Sequence, residues 1–172
     1  MADPTKPGPD TPSGAYSRSI KSWQMIADIR EGVSAIRDAG ATYLPRFNGE
    51  TTVDYDRRKL TAPWRPEFAD AFVGLVAKPF TRDIAIENGD SPAINDFAED
   101  VDTRGNNLTQ FAKVTFENGL ADGFSAILVD KDAGNYSTIA EERQAGARAY
   151  FVQVKATNLL AVYFAKVKGK IR

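Results

Sequence analysis

Apolar residues recur three or four apart from Ile20 to Ile36 (Ile20, Trp23, Ile26, Ile29, Val33, Ile36), and Gly40 follows. That spacing draws one apolar stripe along a helix, and a glycine just past the stripe ends it, so a helix over 20–39 is expected. Phe68, Phe72, Leu75 and Val76 keep the same spacing until Pro79, which predicts a second helix over 66–78. A third runs over 107–122, with Leu108, Phe111 and Thr115 on one side, Phe116 and Leu120 widening the apolar face, and Gly123 ending it. Shorter helices are expected in "DYDRRKLTAPW" before Pro63 and Pro66, and after Pro92 with Ile94, Phe97 and Val101 as its apolar positions. Thr138 with Glu141 makes a capping box for one more, reaching about Gly146.

After Gly123 the period changes. "FSAILV", residues 124–129, is apolar at both alternating positions, the pattern of a strand covered on both faces. "AYFVQVKA" sets Tyr150, Val152 and Val154 against Phe151, Gln153 and Lys155 and predicts a second strand over 149–155. "LLAVYFAKVKGKIR" favours extended structure, turning at Lys168-Gly169-Lys170 into a strand that holds Ile171 and Arg172. "RDIAIENGD" alternates briefly and suits a short strand or an extended link, and "ATYLPRFNGET", with Pro45 and Asn48-Gly49, is a connection. Residues 1–18 hold prolines at 4, 7, 9 and 12 and read as a disordered arm. Residues 19–172 then form a single α+β domain, its helices packed on a small mixed β-sheet that includes 124–129 and 149–155.

Composition narrows the chemistry more than the fold. Cysteine and histidine are both absent, which removes thiolate nucleophiles, cysteine zinc sites, disulfides and the usual general base near neutral pH. Lys, Tyr, Ser or carboxylates would need a shifted pKa or a bound ion to act at pH 7. No membrane span or basic-then-apolar leader is legible, so the chain reads as cytosolic. The sequons at Asn107 and Asn135 therefore carry no weight. Net charge is −1, yet after Glu142 come seven cations (Arg143, Arg148, Lys155, Lys166, Lys168, Lys170, Arg172) and no acid.

Three constellations invite chemistry. Asp130, Asp132 and Glu141 occupy the first, third and twelfth places of a calcium loop, but Gly134 and Asn135 stand where a ligand and the turn glycine belong, and a strand leads in. A solvated turn is the better reading, and a small carboxylate- and metal-dependent hydrolase or calcium-binding domain using the Asp130 loop is the alternative. Arg57, Arg58, Lys59, Trp64 and Arg65 form a basic and aromatic cluster, read as an exposed polar helix face rather than a phosphate contact. Trp23 and Trp64 adjoin apolar patterns and read as core. Lys166, Lys168, Lys170 and Arg172 recur at period two and would share one face of an extended strand, as edge protection or as at most a weak, non-specific DNA contact. The glycines assemble into no nucleotide-binding motif. No catalytic, cofactor-binding or metal residue is assigned, and no enzyme activity or cofactor is expected.

"YLPRF", "YDRRKLTAPWRPEFADAFVGLVAKPF", "FAEDVDTRGNNLTQFAKVTFENGLADGFSAILVD" and "ARAYFVQVKATNLLAV" follow one another in an order that resembles the N-terminal half of a portal-like family of tailed bacteriophages. The resemblance covers about residues 20–165 and rests on that order plus "DVDTRGNNLTQFA" and "ADGFSAILVD". It implies a non-enzymatic wing region of a head-to-tail connector, in the host cytoplasm or the virion, and a homo-oligomeric ring in the full-length protein. Capsid, terminase and tail proteins would be its partners and DNA packaging its setting. Portal proteins of this kind continue through stem and clip helices that this chain does not reach, so a truncated subunit is expected. It also implies that Asp130 is merely where a core strand returns to solvent.

Overall fold

The computed structural model describes residues 8, 10–87, 91–131, 133–162, 166–167 and 170–171. Helices dominate: α1 (Gly14–Glu31), α2 (Val33–Asp38), α3 (Thr52–Thr61), α4 (Glu67–Ala77), α5 (Pro92–Glu99), α6 (Leu108–Asp122) and α7 (Ile139–Gln144). Strands β1 (Ser125–Lys131) and β2 (Ala149–Lys155) pair antiparallel, Ser125 opposite Lys155 through Lys131 opposite Ala149. A hairpin of β3 (Lys166–Val167) and β4 (Lys170–Ile171) is separate from that sheet. The fold is α+β as expected, but the β1–β2 sheet is purely antiparallel, not mixed. The chain from β1 returns through the short α7 directly alongside β1, and a parallel neighbour would need a crossover across a sheet face.

The expected helix over 20–39 is two helices, starting earlier. Ser13 caps α1 by accepting the Tyr16 N–H, so residues 14–18, assigned to the arm, are helical, while residues 1–7 and 9 of that arm lie outside the description. Ser13 N–H and Tyr16 Oη also donate to the carbonyls of Leu160 and Thr157, tying this end to the far end of the domain. At Gly32 the backbone takes φ 102°, open to glycine and closed to helix, so α1 stops and α2 restarts on the same apolar spacing.

The core is small. Phe72 and Val76 of α4 meet Ala121 of α6, with Ile26 of α1 packed against them. Arg30 of α1 pairs with Glu117 of α6 and lies 4.5 Å over the Phe72 ring. Trp23 packs edge-on to Tyr16 and Phe124 and donates its Nε1–H to the Asp122 carbonyl at 2.8 Å. A second centre forms where Phe151 of β2 meets Phe97 of α5 and Phe111 of α6 at centroid distances of 5.0 and 5.7 Å.

β1 is not covered on both sides. α6 packs near its start, but Ile127, Leu128 and Val129 are 46%, 52% and 61% exposed. Consecutive apolar residues signal a two-sided cover, and from Ile127 onward the described residues leave both faces of β1 open. Among the described residues nine are buried, against twenty large apolar side chains that are exposed. No described helix is long and apolar enough to cross a membrane.

Candidate functional site

The two described carboxylates of the Asp130 loop, Asp130 and Glu141, have separate partners. Asp130 accepts the Lys131 N–H at 2.8 Å and stands 3.4 Å from the Tyr150 hydroxyl. Glu141 is spent on its helix: its N–H donates to Thr138 Oγ1, and its carboxylate accepts the Ser137 N–H at 2.8 Å. The capping box forms one residue off, reaching the N–H before the cap. Glu142 pairs with Lys131. Asp132 lies outside the described residues, and among those described no group of three or more His, Cys, Asp or Glu side chains could hold a metal.

The basic cluster of α3 disperses. Arg58 turns back to the preceding connection: Nε and Nη2 donate to the two Glu50 oxygens at 2.7 and 2.8 Å, Nη2 also reaches the Pro45 carbonyl, and the guanidinium lies 4.2 Å over Phe47. Bidentate pairing with Arg58 holds the Glu50 carboxyl down at about 2, although its side chain is only 8% exposed. A carboxyl depressed in the folded state stabilises fully above its ordinary 4.5 and loses that contribution as pH falls through 4.5 towards 2. In Glu50→Gln the melting temperature should therefore fall at neutral pH and vary less with acid between about pH 5 and 2. Thermal melts of both proteins across that range are the measurement, and parallel acid limbs would refute the assignment. Arg57 is exposed, Lys59 sits 3.8 Å from Asp56, and Arg65, 84% exposed, faces Glu67. Trp23 is core as expected. Trp64 is half-buried at the rim of a cavity.

The C-terminal cations do not lie along one strand. β3 and β4 pair antiparallel, Lys166 with Ile171 and Val167 with Lys170, so Lys166 and Lys170 stand on different strands, while the expected turn at Lys168-Gly169 lies outside the described residues. Lys168 and Arg172 lie outside the described residues.

Two features escape the sequence reading. "DVDTRGNN" folds into a turn organised by Asp102: Oδ1 accepts the N–H of Arg104 and Asn106, and Oδ2 accepts the Asn106 side chain at 2.7 Å. Burial pushes the Asp102 carboxyl up, but these hydrogen bonds together hold it below its usual value. Thr103 adopts φ 60°, a left-handed conformation that a β-branched residue rarely takes, and its hydroxyl donates to the Asp102 carbonyl. Asp100 spans the turn, accepting Gly105 N–H and Arg148 Nη2. Buried Val101 accepts the Phe151 N–H of β2, and Asn107 with Gln110 closes a reciprocal capping box on α6. Beside the turn a polar cleft of about 650 Å³ is lined by Arg104, Asn106, Phe111, Tyr150 and Gln153.

The second is an apolar cavity of about 270 Å³ between α1, α2 and the end of α3. Met25, Ile29, Val33, Ile36, Leu44 and Trp64 line it, with Arg37 and Lys59 as its cations. Arg37 Nε is buried there without a hydrogen-bond partner, whereas the Tyr43 hydroxyl is already committed to Asp28 at 2.6 Å. In the sequence Arg37 is an ordinary cation between Ile36 and Asp38 and gives no signal of a buried donor. No protein-family model and no curated protein matches this chain.

Proposed function

We propose that this chain is the N-terminal, wing-like part of a phage portal or head-to-tail connector subunit, structural and non-enzymatic, serving DNA packaging and virion assembly. The observation that carries this reading is the uncovered apolar surface, above all β1. A strand with Ile127, Leu128 and Val129 at about half exposure is built to be covered by something outside this fold. A subunit packed between neighbours supplies that cover. The resemblance adds support: its two most distinctive stretches fold as one continuous turn, helix and strand, from the Asp102 turn through α6 into β1. The partners are further copies in a ring, with capsid, terminase and tail proteins around it, in the host cytoplasm and the virion.

Flanking genes test it without touching the fold. A terminase large-subunit gene upstream and capsid or scaffold genes downstream are expected, and metabolic genes on both sides would overturn the reading. DNA should pass such a subunit rather than be gripped by it. Fluorescence anisotropy with a labelled duplex should show very weak or no binding near physiological salt, and a log-log salt slope no steeper than about −3.6 at low salt, the limit for four phosphate contacts. Submicromolar binding that survives physiological salt and collapses when Lys166, Lys168 and Lys170 become Glu would count against the role.

A further inference from the structure

We infer that the open edge of β1 pairs with β1 of a second copy of this chain, antiparallel about a two-fold axis through Leu128, joining the two sheets into one. The inference goes beyond the subunit reading. It concerns the chain before a ring neighbour takes that surface, because a neighbour and a two-fold partner cannot hold the edge at once.

Backbone bonds show which groups that edge offers. Phe151 stands opposite Val129, yet its N–H donates away from β1, to the Val101 carbonyl at 2.8 Å. Val129 and Phe151 therefore exchange no bonds, and antiparallel alternation turns the N–H and C=O of Val129 to the far side of β1. Lys131, two residues on, agrees: its N–H leaves the ladder for Asp130 Oδ1. By the same alternation Ser125, Ile127, Val129 and Lys131 all face outward, while Ala126, Leu128 and Asp130 hold β2. Among the described residues no backbone hydrogen bond reaches the outward set. Residues 125–129 also lack the lysine, proline or bulge that commonly guards an edge, since each residue of β1 has one partner in β2.

The occupant follows from a shared centre. The outward backbone groups are symmetric about Leu128, and so are the apolar side chains left exposed, Ile127, Leu128 and Val129. Two independent patterns with one centre make the edge self-complementary, as a two-fold contact requires. With the axis through Leu128, Ile127 exchanges both its bonds with Val129 of the second copy, and Leu128 meets its own counterpart in a close pair without bonds. Asp130 and Lys131 then fall opposite Ala126 and Ser125, so no like charges meet. An axis through Ile127 would set Val129 against Ser125, and one through Val129 would set Ile127 against Lys131. The Leu128 register alone places apolar side chains against apolar ones, and the contact closes with two copies.

Sedimentation equilibrium of the full chain tests this. Wild type should show an equilibrium between 18.8 kDa and twice that mass, with nothing larger. Leu128→Lys and Leu128→Glu each change one exposed side chain and set like charges against each other on the axis, so each alone should dimerise at least about tenfold more weakly. Mixed together, they should recover wild-type association as heterodimers. The chain has no cysteine, which allows a second readout. Under a mild oxidant Leu128→Cys should link into a covalent dimer, whereas Asp130→Cys, with its two positions about 13 Å apart along the strands, should not. Wild type that stays at 18.8 kDa up to about 500 μM, where even weak interfaces populate, would overturn the pair and leave the edge to a strand of another protein. Charge variants that weaken association without rescuing each other would overturn it, as would equal linking of both cysteine variants. Larger assemblies that the Leu128 variants leave intact would overturn it too, with the subunit reading still standing.

Discussion

Trp23→Ala is expected to cost about 4 kcal/mol of folding free energy, the middle of the range for removing a buried tryptophan. Three things go at once. Trp23 is 7% exposed, so a large apolar volume empties between α1 and Phe124. Tyr16 and Phe124 lose their edge-on partner. The Asp122 carbonyl, at the end of α6, loses the indole N–H. For a chain of this length a loss of that size lowers the melting temperature by about 8–16 °C, and against a typical total of about 5–15 kcal/mol it leaves a marginal protein. Trp23→Phe separates the contributions: most of the volume stays and only the hydrogen bond is lost, for about 1 kcal/mol plus a smaller packing term. Urea unfolding of the three proteins gives the numbers. An alanine variant within about 1 kcal/mol of wild type would mean that the contact between α1 and the α6–β1 corner carries little of the stability.

Asp102→Ala is expected to cost about 2–3 kcal/mol, more than an exposed polar residue ordinarily does. The carboxylate holds two backbone N–H groups and one side-chain amide of a single turn, and at this exposed site the three together are worth about what one well-buried hydrogen bond to a charged group is, about 1.5–3 kcal/mol. Without it the left-handed Thr103 keeps only its own hydroxyl bond to the backbone carbonyl of residue 102 and the Asp100 contact to Gly105 N–H. The damage travels, because the turn sets Val101 against β2 and Asn107 at the start of α6. Asp102→Asn keeps acceptors and loses charge, so it should fall between wild type and alanine. Amide exchange at Gly105 and Asn106 should speed up far more than exchange in α4. Uniform acceleration across the domain would instead mean global destabilisation, without a special role for the turn.

These two sites show what the chain makes legible and what it hides. α6 and β2 could be read closely, because their signals are local: Asn107 and Gln110 three apart, Gly123 in the left-handed region at φ 85°, alternation from Ala149 to Lys155. α4 followed from its stripe and from Pro66 and Pro79. The division at Gly32 was masked because apolar spacing continues across it, and periodicity cannot see one residue's φ. The exposure of β1 was unreadable for a different reason: an apolar run reports that a strand wants cover, not whether the same chain provides it. Of the candidate site, the Asp130 loop departs from a calcium loop at Asn135, which stands where the turn glycine belongs, a departure that a fixed spacing makes visible in the sequence. The Arg37 cavity depended on α1, α2 and the end of α3 converging, which no short stretch of sequence encodes. The basic cluster failed as a unit because Arg58 found Glu50 eight residues back, a pairing set by the Asn48-Gly49 turn.

The ties from the start of α1 to Thr157 and Leu160 fix an order of events during synthesis. α1 leaves the ribosome before the other described helices, yet the carbonyl that Tyr16 needs is made 141 residues later, and the one Trp23 needs 99 later. At about 5–20 residues per second, Tyr16 waits roughly 7–28 s for its partner. α4 can cover Ile26 once Val76 is made, but Trp23 and Tyr16 stay without their partners for most of that interval. Translation speed from α1 through Thr157, rather than any property of α1 itself, then sets how long the nascent chain presents Trp23 and Tyr16 to chaperones or to its neighbours on the same message.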